Sequence, residues 1–207
     1  MLAAFTASLL LITVSELGDK TFFIAAILAM RHRRRWVFAG AASALALMTV
    51  LSVLIGQAMT LLPKAIILWA EIGLFILFGI KLLYEASQMP VKAKGEEEAA
   101  AAKTVEKAEQ ARAHNKETPL TILSEAFGLT FVAEWGDRTQ IATIALAAAN
   151  PPLGVISGAV LGHAICAAIA VNCGRWLCGR LSERTLTVLG GALFLLFGGI
   201  AWVSAIS

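Results

Sequence analysis

The sequence predicts an all-α membrane protein whose six transmembrane helices form two inverted three-helix repeats. Three observations lead there: an apolar composition, a second copy of the first half within the second, and basic residues confined to alternate loops. Of the 207 residues 58% are hydrophobic and 15% charged, with a mean hydropathy of +0.78. That balance is too apolar for an ordinary soluble domain and makes a lipid bilayer the expected surroundings.

A crossing needs about 20 mainly apolar residues, and six stretches supply them in order. The first, 2–30, carries Glu16, Asp19 and Lys20 at its middle; its apolar run continues to Met30 and lacks a basic start, which argues against a cleaved leader. The second and third are 36–60 and 66–88. A charged linker follows between Pro90 and Pro119, containing Glu96, Glu97 and Glu98 and the run Ala99 to Ala102, and is expected to be solvated and at most partly helical. The last three stretches are 119–149, 153–175 and 185–206, so the chain divides into a first repeat at 1–89, a cytoplasmic linker at 90–118 and a second, inverted repeat at 119–207.

Arg31, Arg33, Arg34 and Arg35 follow the first stretch, Lys92, Lys94, Lys103, Lys107, Arg112 and Lys116 the third, and Arg175, Arg180 and Arg184 the fifth. The opposite side holds only Lys64. Basic loops stay in the cytoplasm, so both termini should be periplasmic. The net charge of +3 is thereby explained by topology and is no nucleic-acid footprint. Cys166, Cys173 and Cys178 form no motif.

At an offset of 118, Glu16, Gly18, Asp19, Lys20 and Thr21 fall on Glu134, Gly136, Asp137, Arg138 and Thr139, and Val37, Gly40 and Gly56 fall on Val155, Gly158 and Gly174. At 119, Phe75 to Gly79 fall on Phe194 to Gly198. A repeat of three crossings must be inverted, because an odd number brings the second copy in from the other face, as in many secondary transporters with a midplane site.

An ionised carboxylate at bilayer depth costs several kcal/mol, on the order of 3 by insertion scales, so intramembrane acids are functional candidates. On a helix Glu16 and Asp19 share one face, as do Glu134 and Asp137, so each motif should present two carboxylates to one space. Gly18 and Gly136 would loosen the turn, Thr21 and Thr139 would add hydroxyl oxygens, and Lys20 and Arg138 would pair with the glutamate of their own motif or with an acid of the other. Four acids against two bases leave a surplus that suits one hard divalent cation. Gln57, Gln140, His163 and Asn172 are pathway candidates, whereas Glu71, Glu85 and Glu125 lie nearer helix ends and are expected to reach water. No nucleophile with a paired base and no phosphate-binding loop is present, so catalytic residues, enzymatic activity and a bound cofactor are not expected.

The motifs Glu16-Leu17-Gly18-Asp19-Lys20-Thr21 and Glu134-Trp135-Gly136-Asp137-Arg138-Thr139 resemble the doubled signature of the Gdt-type cation/proton exchangers, and the resemblance covers essentially the whole chain. It implies a multi-pass protein that exports Mn2+, with Ca2+ ranked second, against protons, with Glu16, Asp19, Glu134 and Asp137 as cation ligands, and the short length without a targeting segment points to a bacterial inner membrane. The partners are then a divalent metal ion, protons and the bilayer, with no nucleic acid; the oligomeric state is left open. A proton-coupled exporter of small solutes such as basic amino acids is the alternative, since it too uses intramembrane acids.

Overall fold

The structure is a computed structural model that describes residues 1–89, 95–112, 118–178 and 182–206. Pro90, Lys92, Lys94, His114, Lys116 and Arg180 lie outside the described residues. The described residues are helical, without a strand: α1 (Leu2–Glu16), α2 (Lys20–Arg31), α3 (Arg34–Met59), α4 (Lys64–Gln88), α5 (Glu96–Arg112), α6 (Pro119–Glu134), α7 (Arg138–Ala149), α8 (Pro152–Leu177) and α9 (Glu183–Ile206). Four of these, α3, α4, α8 and α9, are long and apolar enough to cross a bilayer, and α1 with α2 makes a fifth as a pair bent by 64°. The expected count of six is therefore met only in part. The stretch 119–149 divides into α6 and α7, each too short to span alone, and the stretch carries Glu125, Glu134, Asp137 and Arg138.

The divisions in both stretches have one cause. Gly18 and Gly136 take φ of 78° and 83°, the left-handed region that an L side chain enters only with strain. Such a residue cannot continue a right-handed helix, so α1 stops at Glu16 and α6 at Glu134. Asp19 then caps α2, its side chain accepting the Lys20 backbone N–H at 2.8 Å. Asp137 occupies the corresponding capping position of α7. Each pair of acids is thus brought together across a break, not along the continuous helical face that the three-residue spacing suggests.

Packing follows the 118-residue offset closely. A Cβ added to Gly40 of α3 would sit 2.4 Å from the Leu123 carbonyl oxygen of α6, and one added to Gly158 of α8 would sit 2.3 Å from the Phe5 carbonyl oxygen of α1. Gly56 meets α7 at Ile144 and Ala147, while Gly174 meets α2 at Ala26. In both pairs the residue of nearest backbone approach is also displaced by 118, as Leu123 is from Phe5 and Ile144 from Ala26. Small residues let the backbones approach, which is how helices associate where lipid removes the hydrophobic drive. The long helix of each half therefore packs on the broken helix of the other.

The third helices pack on each other, with Phe194 edge-on to both Phe75 and Phe78 and Trp69 edge-on to Trp202. Their outer faces expose Leu77, Ile80, Leu196 and Ile200, an apolar surface that suits lipid. One end of the bundle holds Met1, the α3–α4 turn and Asn150, since Gly154 abuts Met1 and Gln57 reaches Ala147. The other holds His32, Met89, α5 and Glu183.

The linker departs from expectation. Residues 96–112 form the regular helix α5, which lies along α2 with Ala101 and Val105 fully buried against it. Glu109 pairs with Arg31 and lies 3.6 Å from His32. At the other end of α5 the Glu183 carboxylate accepts the backbone N–H groups of Glu96 and Glu97, both at 3.1 Å. These are free donors of a first helical turn, which a carboxylate satisfies well.

Candidate metal centre

The two breaks face each other at the centre of the bundle. Glu16, Asp19 and Asp137 bring one carboxylate oxygen each to within 4.8 Å of one another, so acids of both motifs share one space. Glu134 is excluded from that trio but is as buried as Glu16, at 3% and 2% exposure. The glutamates are held alike. The Thr21 hydroxyl donates to Glu16 Oε2 at 3.1 Å, and the Thr139 hydroxyl to Glu134 Oε2 at 3.3 Å. Thr139 also lies 3.3 Å from Asp137 Oδ2. The threonines thus orient carboxylates, a role closer to support than to ligation.

In both glutamates the second oxygen, Oε1, is buried and has no hydrogen-bond partner. An unpaired carboxylate oxygen away from water is costly, which makes these two atoms candidate ligands for a proton or a cation. Cations reach the trio on one side from protein already: Arg138 Nη2 stands 3.7 Å from Asp19 Oδ1, joining the second break to the first. Of the two pairings open to Arg138 in the sequence, the one with an acid of the other motif is formed among the described residues. Lys20 is partly exposed and adds positive potential near Asp19.

A cleft of ≈ 90 Å³ leads to this cluster from the linker end, lined by Ser15, Asp19, Arg138, Glu85, Glu97 and Glu183 among others. Three of these acids come from α4, α5 and α9, outside the motifs, and the sequence offered no spacing that would assign them to the site. Glu97 is half-buried, and burial pushes its carboxyl above the usual carboxylate value, with Asp19 adding to the rise.

The pathway candidates separate. The Gln140 side-chain oxygen accepts the Gly136 N–H at 2.7 Å, so it holds the second break in shape. Gln57 donates to the Ala147 carbonyl at 2.5 Å, closing α3 onto α7 at the far end of the bundle. Asn172 is exposed and donates back to Ala168 of its own helix, away from the cluster. His163 is buried on α8 with Nδ1 unpartnered, and does not belong to the acid group. Glu71, expected to reach water, is instead 5% exposed and accepts from Asn150 Nδ2 at 3.3 Å. Its position about two turns inside α4, beneath the turn that starts α8, covers it.

The comparisons agree with the geometry. The family described as divalent cation/proton antiporter GDT1 matches residues 4–90 and 122–207, the two halves on either side of the linker. The chain is 56% identical over 209 residues to a GDT1-like protein of Synechocystis sp., covering 100% of both chains. It is 44% identical over 206 residues to GDT1-like protein 2, chloroplastic, of Oryza sativa subsp. japonica, with 94% of this chain and 59% of that protein covered. It is 46% identical over 207 residues to Protein PAM71-homolog, chloroplastic, of Arabidopsis thaliana, with 94% of this chain and 58% of that one covered. No solved structure matches. With both glycine-broken acidic motifs inside the matched segments, the chain belongs to the GDT1 family of divalent cation/proton antiporters.

Proposed function

We propose that this protein exports Mn2+, with Ca2+ as the alternative ion, from the cytoplasm in exchange for protons. In this reading it crosses a bacterial inner membrane six times as two inverted halves, with α1–α2 and α6–α7 as broken crossings, both termini periplasmic and the linker cytoplasmic. The observation that carries it is the meeting of Glu16, Asp19 and Asp137 within 4.8 Å at two facing breaks, with Glu134 buried beside them.

Carboxylates this close repel one another, and either protons or a divalent cation relieves that repulsion. The two therefore compete for the same oxygens, and competition at a site open to one side at a time is exchange. A cation entering from the cleft meets Asp19 first and takes that carboxylate from Arg138. It then gains the free oxygens Oε1 of Glu16 and Glu134. Protons leave in its place, and no nucleotide is required. A ligand set of carboxylate oxygens suits manganese and calcium, whereas zinc and copper favour the imidazole and thiolate groups absent from this cluster.

Proteoliposomes with an internal pH dye test the reading, with manganese, calcium, magnesium or lysine added in turn. Proton movement driven by manganese or calcium, and lost by at least 100-fold in both Glu16→Gln and Glu134→Gln while membrane insertion persists, is the expected result. Retained exchange in both variants refutes the site. A response to lysine alone transfers the assignment to a solute exporter.

A further inference from the structure

The 118-residue correspondence extends to almost every helix contact, and the exceptions are informative. The pairs α1 with α8 and α6 with α3 match, as do α2 with α8 and α7 with α3. Two contacts have no counterpart of comparable extent. Among the described residues α4 packs on α7 whereas α9 makes at most marginal contact with α2, and α9 packs on α1 whereas α4 makes at most marginal contact with α6. The helices that α4 and α9 do engage, α1 and α7, are the half-helices running from the breaks to the Met1 and Asn150 end. Those they leave free, α2 and α6, run from the breaks to the linker end. The α4–α9 pair is thus tilted shut over one half of the central site and open over the other, where the cleft lies.

The space left on the open side is not empty. The linker helix α5 lies along α2 and touches α6, the same two helices that α4 and α9 leave unengaged. Ala101 and Val105 of α5 are buried among the α2 residues that face this side. Glu183, the first residue of α9, holds the N-terminus of α5 through its carboxylate. Its side-chain bonds therefore tie the tilting pair to the helix that occupies its alternative seat.

Resting on the exchanger reading above, we infer that α4 and α9 move as one gate and that α5 is a wedge seated where the gate closes, so that each transport cycle requires α5 to leave α2. If the halves exchange roles, α9 comes to pack on α2 and α4 on α6, completing the two missing contacts and closing the cleft. The buried faces of Ala101 and Val105 stand in that path. The apolar area they cover on α2 is then passed from α5 to α9, so the wedge stabilises the state that is open to the linker side and does not seal the site. A ligand of α5, or of its junction with Glu183, would slow exchange without touching the acids.

The test is a cross-link between α5 and α2. In a protein with Cys166, Cys173 and Cys178 replaced by alanine, cysteines at Arg31 and Glu109, whose side chains meet, are joined by a short rigid bismaleimide. The same protein is also joined by a long flexible one and capped by a monofunctional maleimide. Manganese- or calcium-driven proton movement is expected to fall at least 10-fold with the short reagent, and to return to within about twofold of the capped protein with the long one, whose slack lets α5 lift. Equal exchange with the short reagent and the cap overturns the wedge, as does equal loss with the short and long reagents. Silence of the capped protein toward manganese and calcium refutes the exchanger reading itself, so the two failures are distinguishable.

Discussion

Replacing Gly136 by alanine isolates the conformational role of the break from every packing effect. A Cβ built there meets nothing within 4 Å, so no clash accompanies the change. What remains is φ of 83°, which an alanine holds at a cost of about 1–2 kcal/mol. The fold either bears that strain or relaxes it by drawing Gly136 toward helical geometry, which turns Asp137 away from Glu16 and Asp19. Because about 1.4 kcal/mol is a tenfold change in an equilibrium constant, manganese affinity is expected to fall about 5- to 30-fold. Calorimetric titration of manganese into detergent-solubilised protein at fixed pH measures this. Gly136→Asn is the matched control, since asparagine tolerates the left-handed region better, and it is expected to recover most of the affinity. Gly128→Ala, in regular α6 with open space around its Cβ, is expected to be silent. Wild-type affinity in Gly136→Ala, or the same loss in the alanine and asparagine variants, would refute the argument that the break positions the acid.

Three further outcomes follow from contacts at and around the site. Asp19→Asn leaves Arg138 without its carboxylate at a side chain that is 30% exposed, so the loss is expected at about 1–3 kcal/mol, below that of a fully buried pair; melting of Asp19→Asn, Arg138→Gln and the double variant should show that the double costs less than the sum. Gly56→Ala and Gly174→Ala each push a methyl to 2.5 and 2.4 Å from Ile144 O and Ala26 Cβ, and should destabilise by similar amounts of about 2 kcal/mol or more, read as loss of the monodisperse peak in detergent; a silent member of the pair contradicts the equivalence of the two interfaces. Glu97 titrates above the ordinary carboxyl value of 4.5 where it faces Asp19, Arg138, Glu183 and Lys20, so its ionised form is disfavoured by the docked state. Docking of α5 should be firmest below 4.5 and weaken as pH rises from there through the raised value of docked Glu97, giving faster amide exchange in residues 96–112, and Glu97→Gln should remove the dependence.

Much of this site was legible because its chemistry is written twice. Glu16, Asp19, Glu134 and Asp137 stand out as charges inside apolar runs, and a six-residue pattern recurring in register points to one shared space. The helical face that links Glu16 to Asp19 by spacing was the wrong device, however, because spacing alone does not say that a glycine will adopt positive φ. The glycine at the third position of each motif was the available signal. Glu71 was misplaced for a related reason: its nearness to a helix end suggested water, but the Asn150 turn folds over it from the other half of the chain. The docking of α5 was hidden by composition, since the apolar positions Ala101 and Val105 are few among many charged residues. Their spacing of four places them on one face, which is enough for a helix that has a groove waiting. Glu183 carried no pattern at all; only the fold brings it to the start of α5.

The exchange of partners between halves bears on how the chain is made. When α3 leaves the ribosome, the glycine faces at Gly40 and Gly56 are complete, but the surfaces they fit, on α6 and α7, have yet to be synthesised. The first half must therefore wait in the membrane with its two closest seams unfilled, a window in which insertion machinery or a chaperone has something to hold. It also means that the chain cut within its linker should reassemble when both pieces are produced together, whereas either piece produced alone has no partner for its central seam.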